Sequence, residues 1–531
     1  MNKQLMQRVV QRLRNLKPPK ATARFMAHNR IQFKPQEVRK DAPVVLMEFN
    51  EMHSSQIAYS YLANALARPA GAHIVAYLPL TLSNWRERLS FFFSSRLGTG
   101  AFGVYASFGV VEFITISLNT KQKKRAASML TKVLAKLKNK TALEELAING
   151  VWIGDLVYDT YLMRFRHPTV DLSSNEFREF LLESLESFVF WEDYMGSKQI
   201  AGINVSHCVY NMAIPLRLAV LRDIPAFQAS LTHVYRLNRQ SLFAYSDYKE
   251  YPELFAKLSA EVRREGLEEA RKRIERRFAG EVGVDMQYST RSAYEKPRHN
   301  QLLQPSLRKK ILIATHCFFD SPHSYGNNLF PDFWEWLEFL GKMSNKTNYD
   351  WYIKTHPDYL PGTMEIINSF IARYTKFTLL PPDASHHQII GEGIDVALTV
   401  YGTIGFEYAA LGKPVINCSV NNPHISYNFN LHPTSVDEYR DLLLSLDDLQ
   451  LNIDFEKVYE FYFMHHIHNS RNLFLDDYES METNLGRYSA QFTPAIFDYW
   501  LERWSPELHE QLEEALVRFV ESQDFRMVKR F

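Results

Sequence analysis

The residues best suited to chemistry lie in three stretches of the second half of the chain, each at or after an apolar, strand-like run. Residues 396–417 (VALTVYGTIGFEYAALGKPVIN) read as a buried strand, a turn, a short helix and a second buried strand. Residues 354–357 (KTHP) and 314–328 (ATHCFFDSPHSYGNN) each follow a strand. Because parallel strands bring their carboxyl ends to one edge of a sheet, we expect these polar groups to form a nucleotide site there.

The turn before the short helix predicts a phosphate contact. Tyr401, Gly402 and Thr403 end the strand and open the helix, where free backbone N–H groups and the helix dipole can hold an anion. The Thr403 hydroxyl can serve as an N-cap or as a donor to phosphate. Glu407 lies four residues on, on the same helical face, and can accept hydrogen bonds from ribose hydroxyls. The alternative is that Thr403 only caps and Glu407 is a solvated helix residue.

The neighbouring strand end adds donors for the same ligand. His356 can donate to the phosphate or to the leaving oxygen, Pro357 fixes the turn that aims it, and Lys354 adds positive charge. In the alternative reading, His356 is an ordinary loop residue. Asp320 follows an apolar run and precedes Ser-Pro, so it is either a site carboxylate or a turn cap. Ser324 can contact the sugar or the nucleotide.

The first half of the chain offers acids for an acceptor. Asp155 and Asp159 flank the run DLVYD, and either can hold the acceptor or act as a general base. Lys354, Arg164 and Arg236 are the cations that we consider for a carboxylate on the ligand.

Strands that alternate with helices must position these side chains, and they predict an α/β protein with two doubly wound parallel sheets. We expect a basic N-terminal segment (1–42), a Rossmann-like acceptor domain (43–280), a linker (281–309), a Rossmann-like nucleotide domain (310–434) and a helical C-terminal extension (435–531). The linker contains a polar stretch without apolar period.

Two Rossmann-like domains with nucleotide-site features in the second describe a GT-B glycosyltransferase. The chain resembles the bacterial GT-B enzymes that use CMP-activated sugars, and most closely the retaining Kdo transferases of capsule and O-antigen assembly. The resemblance rests on His356-Pro357, on GT-x-G-x-E at 402–407 and on G-K-P-V-I at 412–416, in that order. The resemblance is clear over residues 310–420. In the first half of the chain, only the alternation of strands and helices is similar.

The resemblance implies a nucleophilic carboxylate early in the second domain, and Asp320 matches its order and approximate spacing. Such a carboxylate displaces CMP from the anomeric carbon, and an acceptor hydroxyl on a surface polysaccharide or lipid-linked glycan then displaces the carboxylate with net retention. The acidic pair followed by Gly that the family carries in its first domain is absent here, which leaves the base open. We expect no cofactor and no metal requirement, because only one phosphate charge leaves with CMP.

Composition limits the remaining possibilities. The 531 residues have a formal net charge of +1, which gives no global field for nucleic acid. Three scattered cysteines, no apolar signal-peptide core and no long apolar stretch indicate a cytoplasmic protein. Residues 4–16 form a basic amphipathic pattern, which predicts a helix on the inner membrane face; a solvated tail or a helix packed on the body are the alternatives.

Three other functions are alternatives to the CMP-sugar transferase. One is a GT-B enzyme that uses a UDP- or GDP-sugar, and another is a non-catalytic protein of surface-polysaccharide assembly. A Rossmann oxidoreductase is disfavoured, because no G-x-G-x-x-G follows a predicted strand.

Overall fold

The computed structural model describes residues 18–33, 41–82, 84–286, 289–295, 299–356, 359–469 and 471–528. The predicted basic helix at 4–16 and Pro357 lie outside these ranges.

The first domain is built on a mostly parallel sheet. Its strands are β1 Val44–Glu48, β2 His73–Thr81, β3 Val110–Ile116, β6 Ile200–Val205, β7 Ala226–Ala229 and β8 Val234–Leu237, and a separate hairpin holds β4 Ala147–Ile148 and β5 Val151–Trp152. The order is β3-β2-β1-β6-β7-β8, and β8 runs antiparallel to β7. Every residue of β1 is buried, as expected for a central strand covered on both faces.

Eleven α-helices lie in the described residues up to Phe278. They are α1 Lys20–Gln32, α2 His53–Ala70, α3 Trp85–Leu97, α4 Ala101–Ser107, α5 Thr120–Leu134, α6 Lys140–Glu144, α7 Gly154–Phe165, α8 Asn175–Ser197, α9 Ile214–Leu221, α10 Tyr251–Ala256 and α11 Ala260–Phe278. Helices α2 and α4 contribute to the core on one face of the sheet, and α5, α8 and α9 contribute to the core on the other.

The second domain is a smaller, fully parallel sheet. Its strands are β9 Lys310–Ala314, β10 Asp350–Lys354, β11 Phe377–Leu379, β12 Val396–Thr399 and β13 Val415–Asn417, interleaved with α12 Phe333–Ser344, α13 Thr363–Arg373, α14 His386–Gly391 and α15 Ile404–Ala410. The order is β11-β10-β9-β12-β13. The chain therefore reverses its direction of travel across the sheet between β9 and β12, which is where open α/β sheets form a ligand crevice.

The C-terminal part of the chain is helical and returns to the first domain. It contains α16 Val436–Leu444, α17 Phe455–Tyr462, α18 Tyr478–Asn484, α19 Ala495–Arg503 and α20 Pro506–Glu521. Phe497 stacks on Phe25 of α1 with 4.4 Å between ring centroids, and Met527 N donates to the Val234 carbonyl at 2.9 Å. The predicted GT-B architecture, with two doubly wound domains and a helical extension, is confirmed. Within the described ranges, no helix is both long and apolar enough to cross a membrane.

Candidate functional site

A cavity of about 390 Å³ opens at the carboxyl edge of the second sheet, between the ends of β9, β10 and β12. This is the position at which the strand order reverses. Five of the residues predicted to contact a nucleotide line this cavity: Lys354, His356, Gly402, Thr403 and Glu407. Side chains from two strand ends and one helix thus reach the same space.

The turn at Gly402 and Thr403 brings the backbone close to the side chain of Thr399. The Thr403 side chain makes no capping hydrogen bond to α15, so its hydroxyl is not used as an N-cap. A Cβ at Gly402 would come within 2.8 Å of Thr399 Oγ1, which accepts a hydrogen bond from Gly402 N at 3.2 Å. Helix α15 has only seven residues, so its dipole offers little to an anion, and the groups available to one are the Thr403 hydroxyl and the neighbouring cations.

His316 is a cavity residue that the sequence analysis did not single out. Its Nε2 lies 3.1 Å from Thr399 Oγ1 and accepts from the backbone N–H of Val400 at 3.2 Å. Burial lowers the pKa of His316 to about 4 against the opposing effect of Asp320, so the ring is neutral at pH 7. The acceptor role of Nε2 assigns the proton to Nδ1, which makes the ring a neutral donor.

Lys354 supplies a buried positive charge. It is 3% exposed, and its Nζ donates to the Pro382 carbonyl at 3.3 Å. Burial lowers the pKa of Lys354 to about 8, although Glu407 and Asp383 favour the charged form. A buried ammonium whose nearest acceptor contacts are carbonyl oxygens gains strongly from an anionic ligand.

Glu407 is held by residues from outside its own domain. Arg277, at the end of α11, donates from Nε to Glu407 Oε1 at 2.9 Å, and the Tyr294 hydroxyl donates to Oε2 at 2.9 Å. Glu407 is 4% exposed, so the reading as a solvated helix residue does not hold. Arg277 also donates from Nη2 to Oε1. A carboxylate has about four lone-pair positions, so these three contacts leave room on Oε2 for one ribose hydroxyl.

The segment between the domains forms one wall of the cavity. Ser289, Arg291, Ser292, Ala293 and Tyr294 line it. The Ala293 carbonyl accepts from the backbone N–H of His386 at 3.0 Å, which fastens this segment to α14. The polar stretch predicted as a linker therefore also contributes to the site, and its Arg291 adds a cation to Lys354 and Arg277 in the cavity lining.

Asp320 lies beside the cavity on the side that faces the first domain. It is exposed and does not line the cavity, but Cys317, three residues earlier, does. Tyr210 of the first domain donates to Asp320 Oδ1 at 2.7 Å, and Ser321 N donates to the same oxygen at 2.8 Å. Tyr210 has φ +63°, a conformation that costs about 1–3 kcal/mol for a non-glycine residue and clusters at functional sites.

Ser324 and Tyr401 shape the loop that carries Asp320. Both hydroxyls donate to the Ser321 carbonyl, each at 2.9 Å. Neither residue lines the cavity, although Tyr401 packs against His316 with 4.7 Å between ring centroids. Ser324 and Tyr401 therefore hold the loop that carries Asp320 and do not themselves line the cavity.

Asp155 and Asp159 occupy a different environment from the one expected of a catalytic base. Each is 1% exposed. Asp155 pairs with Arg217 at 2.6 Å, and Asp159 Oδ1 lies 2.6 Å from His323 Nδ1. Both carboxylates are thus paired with a buried cationic side chain, and neither residue lines the cavity. These ion pairs are a structural role for both acids.

The pair of Asp159 and His323 belongs to a seam of polar contacts between the domains. Glu144 contacts the other ring nitrogen of His323 at 3.0 Å, and Thr169 donates to Asp332 of the second domain at 2.6 Å. Burial alone would lower the pKa of His323, but Asp159 and Glu144 raise it to about 10. The imidazolium is thus held between two first-domain carboxylates.

Comparisons with known proteins identified structural similarity only. No family model and no curated protein matches the sequence. Among solved structures, the chain is similar to a beta-Kdo 2,7 transferase, KpsC, of Thermosulfurimonas dismutans (15% identity, 57% of this chain and 85% of that one, TM-score 0.29). It is also similar to a glycosyltransferase of Rickettsia africae (12%, 88% and 100%, 0.25) and to a UDP-GlcNAc 2-epimerase of Neisseria meningitidis (11%, 83% and 100%, 0.21). These similarities concern architecture, and we take function from the residues of the site.

Proposed function

We propose that the chain is a retaining glycosyltransferase that moves a sugar, Kdo in our assignment, from a CMP-activated donor to a glycan or glycolipid acceptor. The observation that carries this proposal is the cavity at the switch point of the second sheet, where Lys354, His356, Thr403 and Glu407 converge. Asp320 stands next to this cavity, at the boundary with the other domain.

The donor fits the cavity by charge and by hydrogen bonding. Lys354 and Arg291 offer positive charge to the phosphate, and the Thr403 hydroxyl and the His316 Nδ1–H offer neutral donors. Glu407 accepts from the ribose. A volume of about 390 Å³ is within the usual range for small-molecule sites. The choice of cytosine and of Kdo is supported by the motif resemblance around His356, Thr403 and Glu407.

The reaction follows from the position of Asp320. One carboxylate oxygen is held by Tyr210 and Ser321, and the other attacks the anomeric carbon while the bond to the phosphate oxygen breaks and CMP leaves. The acceptor hydroxyl then displaces the carboxylate and loses its proton. His207, which lies within electrostatic reach of Asp320, can take this proton, because burial lowers its pKa and keeps the ring neutral. We propose no metal in this sequence.

The test is incubation of the protein with CMP-Kdo generated in situ, with CMP release and intact mass as readouts. We expect a protein mass increased by one Kdo residue in the absence of acceptor. The Asp320→Ala variant should lose this adduct while the exposed-acid control Asp448→Asn keeps it. No CMP release with any acceptor, together with release from a UDP- or GDP-sugar, would overturn the donor assignment; an adduct that persists in Asp320→Ala would overturn the nucleophile.

A further inference from the structure

Helix α3 of the first domain presents an apolar face to solvent. None of its thirteen residues is buried. The large apolar side chains on it are well exposed: Trp85 (65%), Leu89 (44%), Phe92 (47%), Phe93 (55%) and Leu97 (68%). At 100° per residue these five positions fall on one side of the helix, within about 140°, and Arg86 and Arg96 lie between them on the same side. Exposed apolar patches of this kind mark interaction sites.

The helix is defined by its own capping and by one anchor. The Asn84 side chain accepts from Glu87 N at 3.0 Å, and Gly98 ends the helix with φ +60°. Phe91 points the other way and packs on Phe102 of α4 with 5.5 Å between ring centroids. A groove of about 640 Å³ separates α3 from the edge strand β3. The helix is therefore held in place without burying its apolar side.

The charges around this face indicate its partner. Helix α3 carries Arg86, Arg88 and Arg96 against a single acid, Glu87. The Arg96 guanidinium lies 4.5 Å from the Phe92 ring centre, in the arrangement by which an arginine can reach a polar layer above buried rings. Helix α5, which follows β3 at the same edge of the sheet, has five basic residues and no acid.

We propose that α3 docks on an anionic lipid bilayer, with Trp85, Leu89, Phe92, Phe93 and Leu97 in the interface and the arginines on the headgroups. Trp and Phe beside arginine are the residues that interfacial helices use, and clustered basic residues attract anionic lipid. This contact is separate from the donor site and from residues 4–16. It would bring the first domain to an acceptor that is anchored in a membrane.

The test is flotation of the full chain with vesicles of phosphatidylcholine containing 30% phosphatidylglycerol. We expect Trp85→Ser/Phe92→Ser/Phe93→Ser to weaken binding by about tenfold or more. Each Arg→Gln change on α3 should weaken it by about fivefold at low salt, with a smaller effect at high salt. A matched control removes three exposed apolar side chains elsewhere: Val262→Ser/Phe455→Ser/Phe492→Ser should bind as the wild type does.

Two further measurements decide between occupants of the face. Lipids brominated in their acyl chains should quench wild-type fluorescence more than that of Trp85→Phe. Vesicle binding that survives the α3 triple variant but disappears in Val9→Ser/Leu13→Ser would overturn the proposal in favour of residues 4–16. A dimer in sedimentation that the triple variant dissociates, without vesicle binding by the wild type, would overturn it in favour of a second copy of the chain.

Discussion

The cavity and the seam between the domains both contain carboxylates next to cationic groups, yet they use them differently. At the cavity, Lys354 has carbonyl oxygens for partners, and the Thr403 hydroxyl makes no capping hydrogen bond to α15. Away from the cavity, Asp155 pairs with Arg217 inside the first domain and Asp159 pairs with His323 at the seam, and both carboxylates are buried. The contrast teaches that a polar side chain stays available to a ligand where packing leaves part of its hydrogen-bonding capacity unused.

Breaking a buried ion pair inside the first domain should have the largest effect on stability. Asp155→Ala leaves the Arg217 guanidinium buried and unpaired, and we expect a loss of about 3–5 kcal/mol in the free energy of unfolding. Chemical denaturation measures this change. Asp155→Leu/Arg217→Met, which removes both charges, should recover most of it. If Asp155→Ala is as stable as the wild type, the ion pair of Asp155 and Arg217 does not stabilise the fold.

The seam should also make stability depend on pH. The pKa of His323 is about 10 in the fold against an ordinary value of 6.5. Its charge therefore contributes stability that is fully present below pH 6.5 and is lost as pH rises through 10. Melting temperatures of the wild type should fall over this window, and those of His323→Gln should be lower but less dependent on pH. If the melting temperatures of the two proteins changed with pH in parallel, His323 would not be the group that causes the pH dependence.

At the cavity, Lys354→Met should weaken nucleotide binding and leave the fold intact. Loss of a charge-assisted contact to phosphate is expected to cost about 1.5–3 kcal/mol, which is roughly a tenfold to hundredfold weaker Kd for CMP. Because burial places the pKa of Lys354 at about 8, the affinity of the wild type should decline as pH rises through 8. Equal pH profiles in the variant and the wild type would show that this lysine does not face the phosphate.

Tyr210→Phe should produce the smallest effect. It removes one hydrogen bond to Asp320 Oδ1, for which we expect about 1 kcal/mol, or roughly a fivefold lower rate of CMP release. Tyr488→Phe, at a distant exposed position, is the control. An unchanged rate of CMP release in Tyr210→Phe would show that the contact between Tyr210 and Asp320 does not serve the reaction.

The sequence predicted the fold well because strand and helix patterns are local. The run at 396–417 predicted β12, α15 and β13, and the motif residues Lys354, Thr403 and Glu407 indeed line one cavity. Helix α3 escaped prediction because it buries no residue and so has no core-facing period. The charged stretch before the linker forms two helices, α10 and α11, because Ser259 caps the start of α11 by accepting from Val262 N.

Contacts between distant segments could not be read in the same way. Glu407 is bonded by Arg277 and Tyr294, which lie 130 and 113 residues away along the chain. His316 follows β9 directly, and this position was the signal that could have identified it. Asp155 and Asp159 resemble site acids in the sequence because the partners that neutralise them, Arg217 and His323, come from other elements.

Hydrogen–deuterium exchange with saturating CMP tests most directly whether the cavity holds the donor nucleotide. We predict slower exchange in peptides that cover residues 289–295, 314–320, 351–356 and 399–407, with little change around the buried pairs of Asp155 and Asp159. Protection confined to the first domain, or no protection at these four segments when CMP is bound, would contradict the account.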